Sequence, residues 1–303
     1  MTAPNISNPT YFAAASPVRL PRAAALGPGL GGQPRLLVDA PAGAAEIYLH
    51  GATVTSWTPR GGSEVIFTSR QAVFNGSTAI RGGIPLCLPE FGVGINGDAV
   101  PKHGWARIAP WQLRTVTGTD DGGVRALLSV SRDHLTALYE VEVGQTLRLG
   151  LSLRNDGAEP RTVEAAAHTY LSVHDVTASI ISGLAGSSYN DNLARSSQEA
   201  RRIQEGDVKI SGPVDRIYDS SEPVAATDPG HRRTIRIDKR NAPSTIVWNP
   251  WSTYSAPLPD MADDEFPTMV CVESGAVREN APTIDPGTSW AMQVTLSVEN
   301  HRM

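Results

Sequence analysis

Cysteine and long apolar segments are scarce in this chain of 303 residues. Two cysteines, Cys87 and Cys271, are too few for a scaffold held by disulfides, and both lie in apolar runs that favour buried free thiols. No apolar run approaches the ~20 residues that a helix needs to cross a bilayer. The N-terminus lacks a charged start followed by an apolar stretch, so secretion is not indicated. We therefore expect a cytoplasmic protein without a membrane partner.

Motifs for metals and nucleotides are also missing. The two cysteines are not at CxxC spacing, no histidine pair has four-residue spacing, and the seven histidines are scattered. We therefore expect no metal and no other cofactor. No P-loop or GxGxxG motif follows a strand-like run. The formal net charge of −5 argues against a nucleic acid partner, because binding to phosphate backbones requires a broadly basic surface. A small basic pocket remains compatible with this charge.

Apolar residues recur with a period of two along most of the chain. Leucines alternate with polar or small residues over Leu147–Leu153, and Trp290–Val298 alternates as strictly. This period is typical of half-buried strands. Turn-forming triplets such as Asp285-Pro286-Gly287 separate the runs. The pattern predicts an all-β fold, a large antiparallel β-sandwich, with short helices at 194–204 and 133–138.

The first 35 residues differ from the rest of the chain. They contain no acidic side chain, and their frequent prolines would interrupt the amphipathic helix of a transit peptide. We predict a loosely ordered N-terminal arm over residues 1–35. No later change in composition suggests a linker, so residues 36–303 are predicted to form a single β-sandwich domain that carries the function.

Two loops rich in glycine and proline contain the first candidate functional residues. Residues 81–92 read RGGIPLCLPEFG, and the two glycines after Arg81 let the backbone bend sharply or approach another group closely. Residues 101–107 read PKHGWAR and place Lys102, His103 and Arg107 beside a tryptophan. Because arginine binds phosphate in a bidentate manner and an aromatic ring stacks on a sugar, this set suits a pocket for an anionic sugar. A crossover loop and a solvated basic turn are the alternatives.

A histidine and two carboxylates in strand-like runs are further candidates. His168 lies in the uncharged run AAAHTY, on the face opposite Ala165 and Ala167. Glu273 ends the apolar run TMVCVE, and a carboxylate there is costly to bury unless it has partners or a task. Asp215 lies in the compact motif VDRIY. A structural histidine and a glutamate that reaches solvent are the alternatives.

In this order, six segments resemble the hexose-6-phosphate mutarotases (glucose-6-phosphate 1-epimerases) of the galactose-mutarotase-like superfamily. They are RGGIPLCLPEFG, PKHGWAR, AAHTYLSV, VDRIY, VWNPW and VCVE. Each motif is weakly specific alone, but six in the same order from Arg81 to Glu273 are strongly specific. The resemblance implies a large β-sandwich and an isomerase of carbohydrate metabolism. Its substrate would be glucose 6-phosphate or a related hexose 6-phosphate, whose α and β anomers it interconverts.

The resemblance also implies roles for the matching residues. His168 matches the general acid of the family and Glu273 its general base. Arg81 and Arg107 match the arginines that bind the substrate phosphate, and Asp215 matches a substrate-binding carboxylate. Such a reaction needs one acid and one base but no cofactor, because the anomeric O1 hydroxyl loses a proton while the ring oxygen O5 gains one.

Two neighbouring residues complete the predicted substrate site. Lys102 stands where relatives carry glutamine and is predicted, with His103, to bind substrate. The segment CLPEFG departs from the aromatic or apolar versions of the family, so Glu90 bears on sugar preference. The expected partner is a small hexose phosphate, and the expected assembly is a monomer.

Three other functions fit parts of the same pattern. An aldose 1-epimerase for free sugars would share the acid and base but lack a cationic phosphate site. A non-catalytic sugar-phosphate-binding protein would share the fold, although it would have no need for both His168 and Glu273. A glycoside hydrolase would need two carboxylates beside a glycosidic bond, for which Asp215 and Glu273 are the best pair.

Overall fold

A computed structural model describes residues 18–301 of the chain. Strands dominate it, as the period of two predicts. The strands are β1 (Ala24–Pro28), β2 (Pro34–Ala40), β3 (Gly43–Tyr48), β4 (Thr53–Pro59), β5 (Leu86–Cys87), β6 (Gln112–Gly118), β7 (Val124–Arg132), β8 (Leu135–Val143), β9 (Leu147–Asn155), β10 (Arg161–Thr162), β11 (Ala165–Ala167), β12 (Tyr170–Ser172), β13 (Ile180–Ser182), β14 (Ser188–Asp191), β15 (Arg201–Ile203), β16 (Val208–Lys209), β17 (Val214–Asp219), β18 (Val224–Asp228), β19 (Arg233–Arg240), β20 (Ser244–Asn249), β21 (Met269–Ala276), β22 (Thr283–Ile284) and β23 (Ser289–Asn300).

Helices in the described chain are short. The α-helices are α1 (Ser197–Ala200) and α2 (Trp251–Ser255), and the 3₁₀ turns are Leu30–Gly32, Ala106–Ile108, Phe266–Thr268 and Arg278–Asn280. Neither α-helix of residues 18–301 has the length or apolar character needed to cross a bilayer.

The strands form two large antiparallel sheets and two small ones. The nine-stranded sheet has the order β16-β13-β18-β19-β23-β9-β8-β7-β6. The eight-stranded sheet has the order β15-β14-β17-β20-β21-β11-β5, and β12 also pairs with β21. Strands β1 to β4 form a third sheet in chain order, and β10 pairs with β22. The predicted all-β antiparallel sandwich is therefore confirmed.

Alternating side chains of the two large sheets form the main core. Leu149 and Leu151 of β9 point into it, beside Val294 of the adjacent β23. Val270 and Val272 of β21 join the same cluster from the eight-stranded sheet. Full burial of each such side chain contributes about 1.5–3 kcal/mol to the free energy of unfolding. The strict alternation seen in the sequence thus fixes which face of each strand packs inward.

Strand β21 is buried on both faces. All eight of its residues are buried, and while Val270 and Val272 enter the main core, Cys271 and Glu273 point the other way. On this second face Cys271 packs in a cluster with Tyr170, and a separate cluster forms around Ala166. The eight-stranded sheet thus has one face in the core and a second face that loops largely cover.

The N-terminal part of the described chain differs from the predicted loose arm over 1–35. Residues 1–17 lie outside the described residues. Ala24–Pro28, however, forms β1 and pairs with β2, which begins at Pro34 rather than after residue 35. This segment is ordered because Leu26, which stands opposite Leu36, is partly buried against the main core. A single domain over 36–303 remains a prediction.

Both predicted helices are largely wrong. In 133–138, Asp133 and His134 adopt left-handed φ angles of 51° and 59° between β7 and β8. Two such residues form the tight turn that suits a two-residue β-hairpin, so Leu135 already begins a strand. In 194–204, α1 has only four residues and is followed by β15.

Candidate active site

Strand register brings His168 and Glu273 together. Ala167 stands opposite Ser274 and Tyr170 stands opposite Cys271, so β11 and β12 keep one register along β21. In that register His168 faces Glu273. The two side chains meet at 3.4 Å between His168 Nε2 and Glu273 Oε1. As the alternation predicts, they lie on the face opposite the main core.

Both groups are buried, and burial changes their ionisation. His168 is 8% exposed and Glu273 is 1% exposed. Burial lowers the pKa of His168 well below its usual 6.5, and the nearby His103 and Arg107 lower it further. Burial raises the pKa of Glu273 well above its usual 4.5, and the carboxylate of Asp215 adds to this rise.

These pKa shifts favour an uncharged pair, with His168 neutral and Glu273 protonated. The pair then has one proton that can pass between the carboxyl group and the imidazole. The mechanism expected from the sequence starts instead from an imidazolium and a carboxylate. Both arrangements contain the same single proton, so they differ only by its transfer across the 3.4 Å contact. The site therefore contains the one proton that an acid–base exchange requires.

Stacked rings fix the orientation of His168. Its imidazole lies parallel to the ring of Tyr170, with centroids 4.8 Å apart and an interplanar angle of 12°. The rings of His103 and Trp248 approach at 5.6 and 6.3 Å in edge-on geometry. His168 therefore has little freedom to turn away from Glu273.

A cavity of about 480 Å³ opens above the pair. Every residue that the sequence predicts for the site lines this cavity: His168, Glu273, Arg81, Lys102, His103, Arg107 and Asp215. Glu90 is absent from the lining that the described residues form, although its neighbours Phe91 and Gly92 belong to it. The structure brings the predicted residues together, and their individual roles stay predictions.

The cavity lining carries an excess of positive charge. It contains four cationic side chains and two carboxylates; the cations are Arg81, Lys102, Arg107 and Arg278, and the carboxylates are Asp215 and Glu273. Arg81 is paired with Asp260 at 3.1 Å and also donates to the hydroxyl of Tyr170 at 3.2 Å. Within residues 18–301 the other three cations take part in no ion pair. They are therefore available to an anionic ligand.

His103 has a defined neutral form. Burial and the neighbouring Arg107 lower the pKa of His103 to about 3, so the ring is uncharged near neutral pH. The backbone N–H of Gly92 donates to Nδ1 at 3.3 Å, and Cys87 Sγ lies 3.2 Å from the same nitrogen. Because Nδ1 accepts, Nε2 carries the proton and is a hydrogen-bond donor. His103 also has a left-handed φ of 64°, which is uncommon outside glycine.

Asp215 is placed by two strands and a side-chain amide. It pairs in register with Trp248 of β20, and both side chains line the cavity. Asn192 Nδ2 donates to Asp215 Oδ1 at 2.8 Å. Burial raises the pKa of Asp215. Its free oxygen is positioned to accept a hydrogen bond from a hydroxyl group of a ligand.

The sequence-based prediction missed several residues of the lining. Tyr170 and Trp248 lie in motifs that were recognised, and the period of two would have placed Tyr170 on the same face as His168. Asn192 and Arg278 lie outside the strands, where no period indicates the direction of a side chain. Their positions follow only from the three-dimensional fold.

A buried carboxylate ties two loops of the site together. Glu164 accepts hydrogen bonds from the backbone N–H groups of Phe91 and Arg278, both at 2.9 Å. It lies in the segment before β11 and is buried. The loop that contains Phe91 and the loop that contains Arg278 are thereby fixed relative to the strand that leads to His168.

Among the described residues, one cluster has the spacing of a metal site. His168, Cys271 and Glu273 each offer a ligand atom, and these atoms lie within 4.8 Å of one another. Burial raises the pKa of Cys271 well above its usual 9.0, which keeps it a thiol, whereas metals bind the thiolate. The raised pKa of Glu273 has the same effect on its carboxylate. In the absence of a metal ion, the two raised pKa values keep both groups protonated, which suits proton exchange.

Known proteins share both the sequence and the fold of this chain. The family described as aldose 1-epimerase matches residues 34–297. A protein of Cenchrus ciliaris, provisionally named glucose-6-phosphate 1-epimerase, is 33% identical over 272 residues, which cover 84% of this chain and 80% of the relative. One of Escherichia coli with the same provisional name is 30% identical over 254 residues, covering 80% and 83%.

A solved structure agrees with these sequence matches. The crystal structure of a provisionally named mutarotase from Salmonella typhimurium superposes with a TM-score of 0.84 at 26% identity, covering 96% of this chain and 99% of that one. The family match spans all the strands that build the cavity. The chain therefore belongs to the aldose 1-epimerase family, whose members are isomerases that act on small sugars.

Proposed function

We propose that this protein is a hexose-6-phosphate mutarotase that interconverts the α and β anomers of glucose 6-phosphate or a related hexose 6-phosphate. One observation carries the proposal: a buried acid–base pair, His168 and Glu273, lies in a cavity whose lining is otherwise rich in positive charge. The pair suits anomer exchange, and the charge suits a phosphorylated sugar. The names of the relatives support the same substrate.

The proposed reaction begins with opening of the pyranose ring. Glu273 as carboxylate accepts the proton of the O1 hydroxyl, and the O–H electrons form the C1=O bond. The C1–O5 bond breaks, and O5 takes a proton from His168 as imidazolium. Because the free site favours neutral His168 and protonated Glu273, the proton first passes from Glu273 Oε1 to His168 Nε2 across their 3.4 Å contact.

Ring closure then completes the exchange. Rotation about C1–C2 presents the other face of the aldehyde to O5. His168 takes the O5 proton back while Glu273 returns a proton to the carbonyl oxygen, which gives the second anomer. Each positioned proton transfer contributes about 10²–10⁴ in rate. The pair contains one proton at the start and at the end, so no co-reactant is needed.

The rest of the cavity would hold the substrate. Lys102 and Arg107 supply charge for the phosphate, Arg81 adds the N–H donors that Asp260 and Tyr170 leave free, and Asp215 accepts a hydrogen bond from a sugar hydroxyl. Binding energy from the phosphate, which is remote from C1, would orient the ring over the acid–base pair. His103, neutral and with its proton on Nε2, can donate to an oxygen of the sugar.

A comparison of substrates tests the proposal. We expect NMR exchange measurements to give a much higher kcat/KM for glucose 6-phosphate than for glucose. The variants Arg81→Ala and Arg107→Ala should raise KM for the phosphorylated sugar and barely affect glucose. Equal effects on the two sugars would identify a free-sugar epimerase instead. Tight binding of glucose 6-phosphate in calorimetry without any anomer exchange would identify a non-catalytic binding protein.

We further propose that the enzyme works in the cytoplasm as a monomer. The two cysteines are free and buried, which is ordinary for a reducing compartment. Light scattering at micromolar concentration tests the assembly.

A further inference from the structure

Arg278 lies on the loop that follows β21, five positions after Glu273. It begins the 3₁₀ turn Arg278–Asn280 and has a left-handed φ of 56°. Side chains with a Cβ seldom adopt this conformation, because it costs free energy that the surrounding contacts must offset. The chain thus keeps an arginine at a position where glycine or asparagine would be less strained.

Two contacts fix Arg278 beside the cavity. Its backbone N–H donates to Glu164 Oε1 at 2.9 Å, and its Nη1 donates to the carbonyl oxygen of Gly94 at 3.0 Å. Glu164 also holds Phe91, so the two loops and the start of β11 share one buried carboxylate. The guanidinium is therefore positioned by neighbours that are themselves anchored.

Most of the hydrogen-bonding capacity of Arg278 is unused. A guanidinium has five N–H donors, and within the described chain the Gly94 carbonyl accepts from one nitrogen only. No ion pair of residues 18–301 includes Arg278, in contrast to Arg81, which is paired with Asp260. A neutral donor could make the hydrogen bond to the Gly94 carbonyl equally well. That contact therefore does not explain why a positively charged side chain without an ion-pair partner lines the cavity.

We propose that Arg278 binds the phosphate group of the substrate, together with Lys102 and Arg107, and so contributes to the preference for phosphorylated sugars. All three line the same cavity, and none lies within ion-pair distance of a carboxylate in the described chain, although the charges of Arg278 and Arg107 act on Asp215 and Glu273. This inference rests on the proposed function, because it names a further residue for the same substrate. Arginine suits the role since its planar fork matches two phosphate oxygens.

Replacement of Arg278 by asparagine tests the inference. Asparagine tolerates the left-handed backbone and removes the charge. We expect Arg278→Asn to raise KM for glucose 6-phosphate by about 10- to 100-fold with little change in kcat, as loss of a charged hydrogen bond made equally in ground and transition states would do. Calorimetry should show weaker binding of inorganic phosphate, and Arg278→Lys should restore part of both properties.

Arg161→Gln is the matched control. It removes one positive charge from a residue outside the cavity lining, whose Nη1 donates to the carbonyl of Asp133 and whose charge acts on Glu90 rather than on a cavity residue. We expect this variant to bind inorganic phosphate and glucose 6-phosphate as the wild type does. An equal change in both variants would overturn the inference, because it would reveal a general charge effect.

Two further outcomes separate the inference from the proposed function. If Arg278→Asn lowers kcat while KM and phosphate binding stay unchanged, Arg278 only supports the loop at Gly94 and the inference is wrong. If the wild type binds inorganic phosphate through Arg278 but does not exchange the anomers of glucose 6-phosphate, the proposed function fails while the phosphate contact stands.

Discussion

The proton between His168 and Glu273 is held where water has little access. Each group would ionise readily on a surface, but burial disfavours both charged forms. In the proposed reaction, substrate oxygens replace water as proton donor and acceptor, and the cavity above the pair gives them access to it. The proposed chemistry therefore depends on two side chains that have few other hydrogen-bonding partners.

Removal of either group should abolish most of the activity. We expect His168→Ala and Glu273→Gln each to reduce mutarotation at least about 100-fold, because each loses one positioned proton transfer. Glu273→Gln keeps the shape of the side chain, so the fold should persist. NMR exchange between anomers measures the loss, and circular dichroism checks the fold. Turnover close to that of the wild type in either variant would show that its role is wrong.

The pH profile should differ from that of a protein with an ordinary histidine. In acid, activity is lost only when His168 and Glu273 are both protonated, because the pair then has no group that can accept the O1 proton. Since burial lowers the pKa of His168 well below 6.5, kcat should stay level as the pH falls through 6.5. In alkali, kcat should fall when the pair loses its single proton. The measurement is kcat at saturating sugar phosphate, and a half-loss of kcat near 6.5 would contradict it.

Single residues also show how far the sequence could predict the site. His168 and Glu273 were found because they interrupt apolar alternation with groups that can move protons. Their protonation could not be predicted, because Glu273 looked like the end of a strand, whereas β21 continues to Ala276 with both faces covered. Arg278 follows that strand in a loop, where neither period nor motif indicates the direction of its side chain.

Among the structural elements, the strands were predicted well and the helices poorly. β9 and β23 have strict alternation because one face of each meets the core, so the sequence records the packing directly. The segment 133–138 has no such alternation of apolar and polar residues to indicate its packing. Its two-residue turn depends on the left-handed backbone of Asp133 and His134, which the requirement to join β7 to β8 imposes.

A buried arginine connects the two large sheets. Arg233 of β19 is 1% exposed, and its Nη2 donates to the carbonyl of Ser172 in β12 at 2.6 Å. Its Nη1 donates to the carbonyl of Glu64 at 2.8 Å, and its Nε lies 3.5 Å from Oδ2 of the fully buried Asp228. Removal of this side chain would leave two carbonyls without their donor. It would also take the arginine from the buried Asp228, whose remaining partners include His231 Nδ1 at 2.7 Å and the backbone N–H of His174 at 3.2 Å.

We expect Arg233→Met to lower the free energy of unfolding by about 3–5 kcal/mol, the usual cost of breaking a buried ion pair. Urea denaturation measures the change.

Arg236→Met in the same strand is the control. Arg236 is exposed and pairs only with Asp238, so its loss should cost about 0–1 kcal/mol. Equal destabilisation by Arg233→Met and Arg236→Met would show that Arg233 does not connect the sheets in the way described.

The molecule as a whole is acidic, yet its cavity is basic. The net charge is −5, while the cavity lining has four cations and two carboxylates, one of which burial tends to protonate. A negatively charged surface keeps polyanions such as nucleic acids at a distance. The local excess of positive charge is confined to one cavity, so it suits a ligand with a single phosphate group better than a polyanion.

Salt should therefore weaken substrate binding without slowing the chemistry. The Debye length falls from about 10 Å at 0.1 M salt to about 3 Å at 1 M, which screens the partly exposed Lys102 and Arg107 but hardly affects the buried acid–base pair. We expect KM for glucose 6-phosphate to rise with sodium chloride while kcat stays constant. Steady-state kinetics at several salt concentrations tests this. A falling kcat at constant KM would contradict it.

The register of β11 and β12 along β21 has a consequence for how such an enzyme can change its substrate. The hydrogen bonds between central strands set the separation of His168 and Glu273, whereas Lys102, Arg107 and Arg278 lie on connecting segments. Insertions and deletions in those segments can reshape the pocket while the distance between His168 and Glu273 stays the same. A graft of the 90–107 and 277–282 segments from a relative with another sugar preference would thus exchange selectivity and leave the turnover chemistry in place.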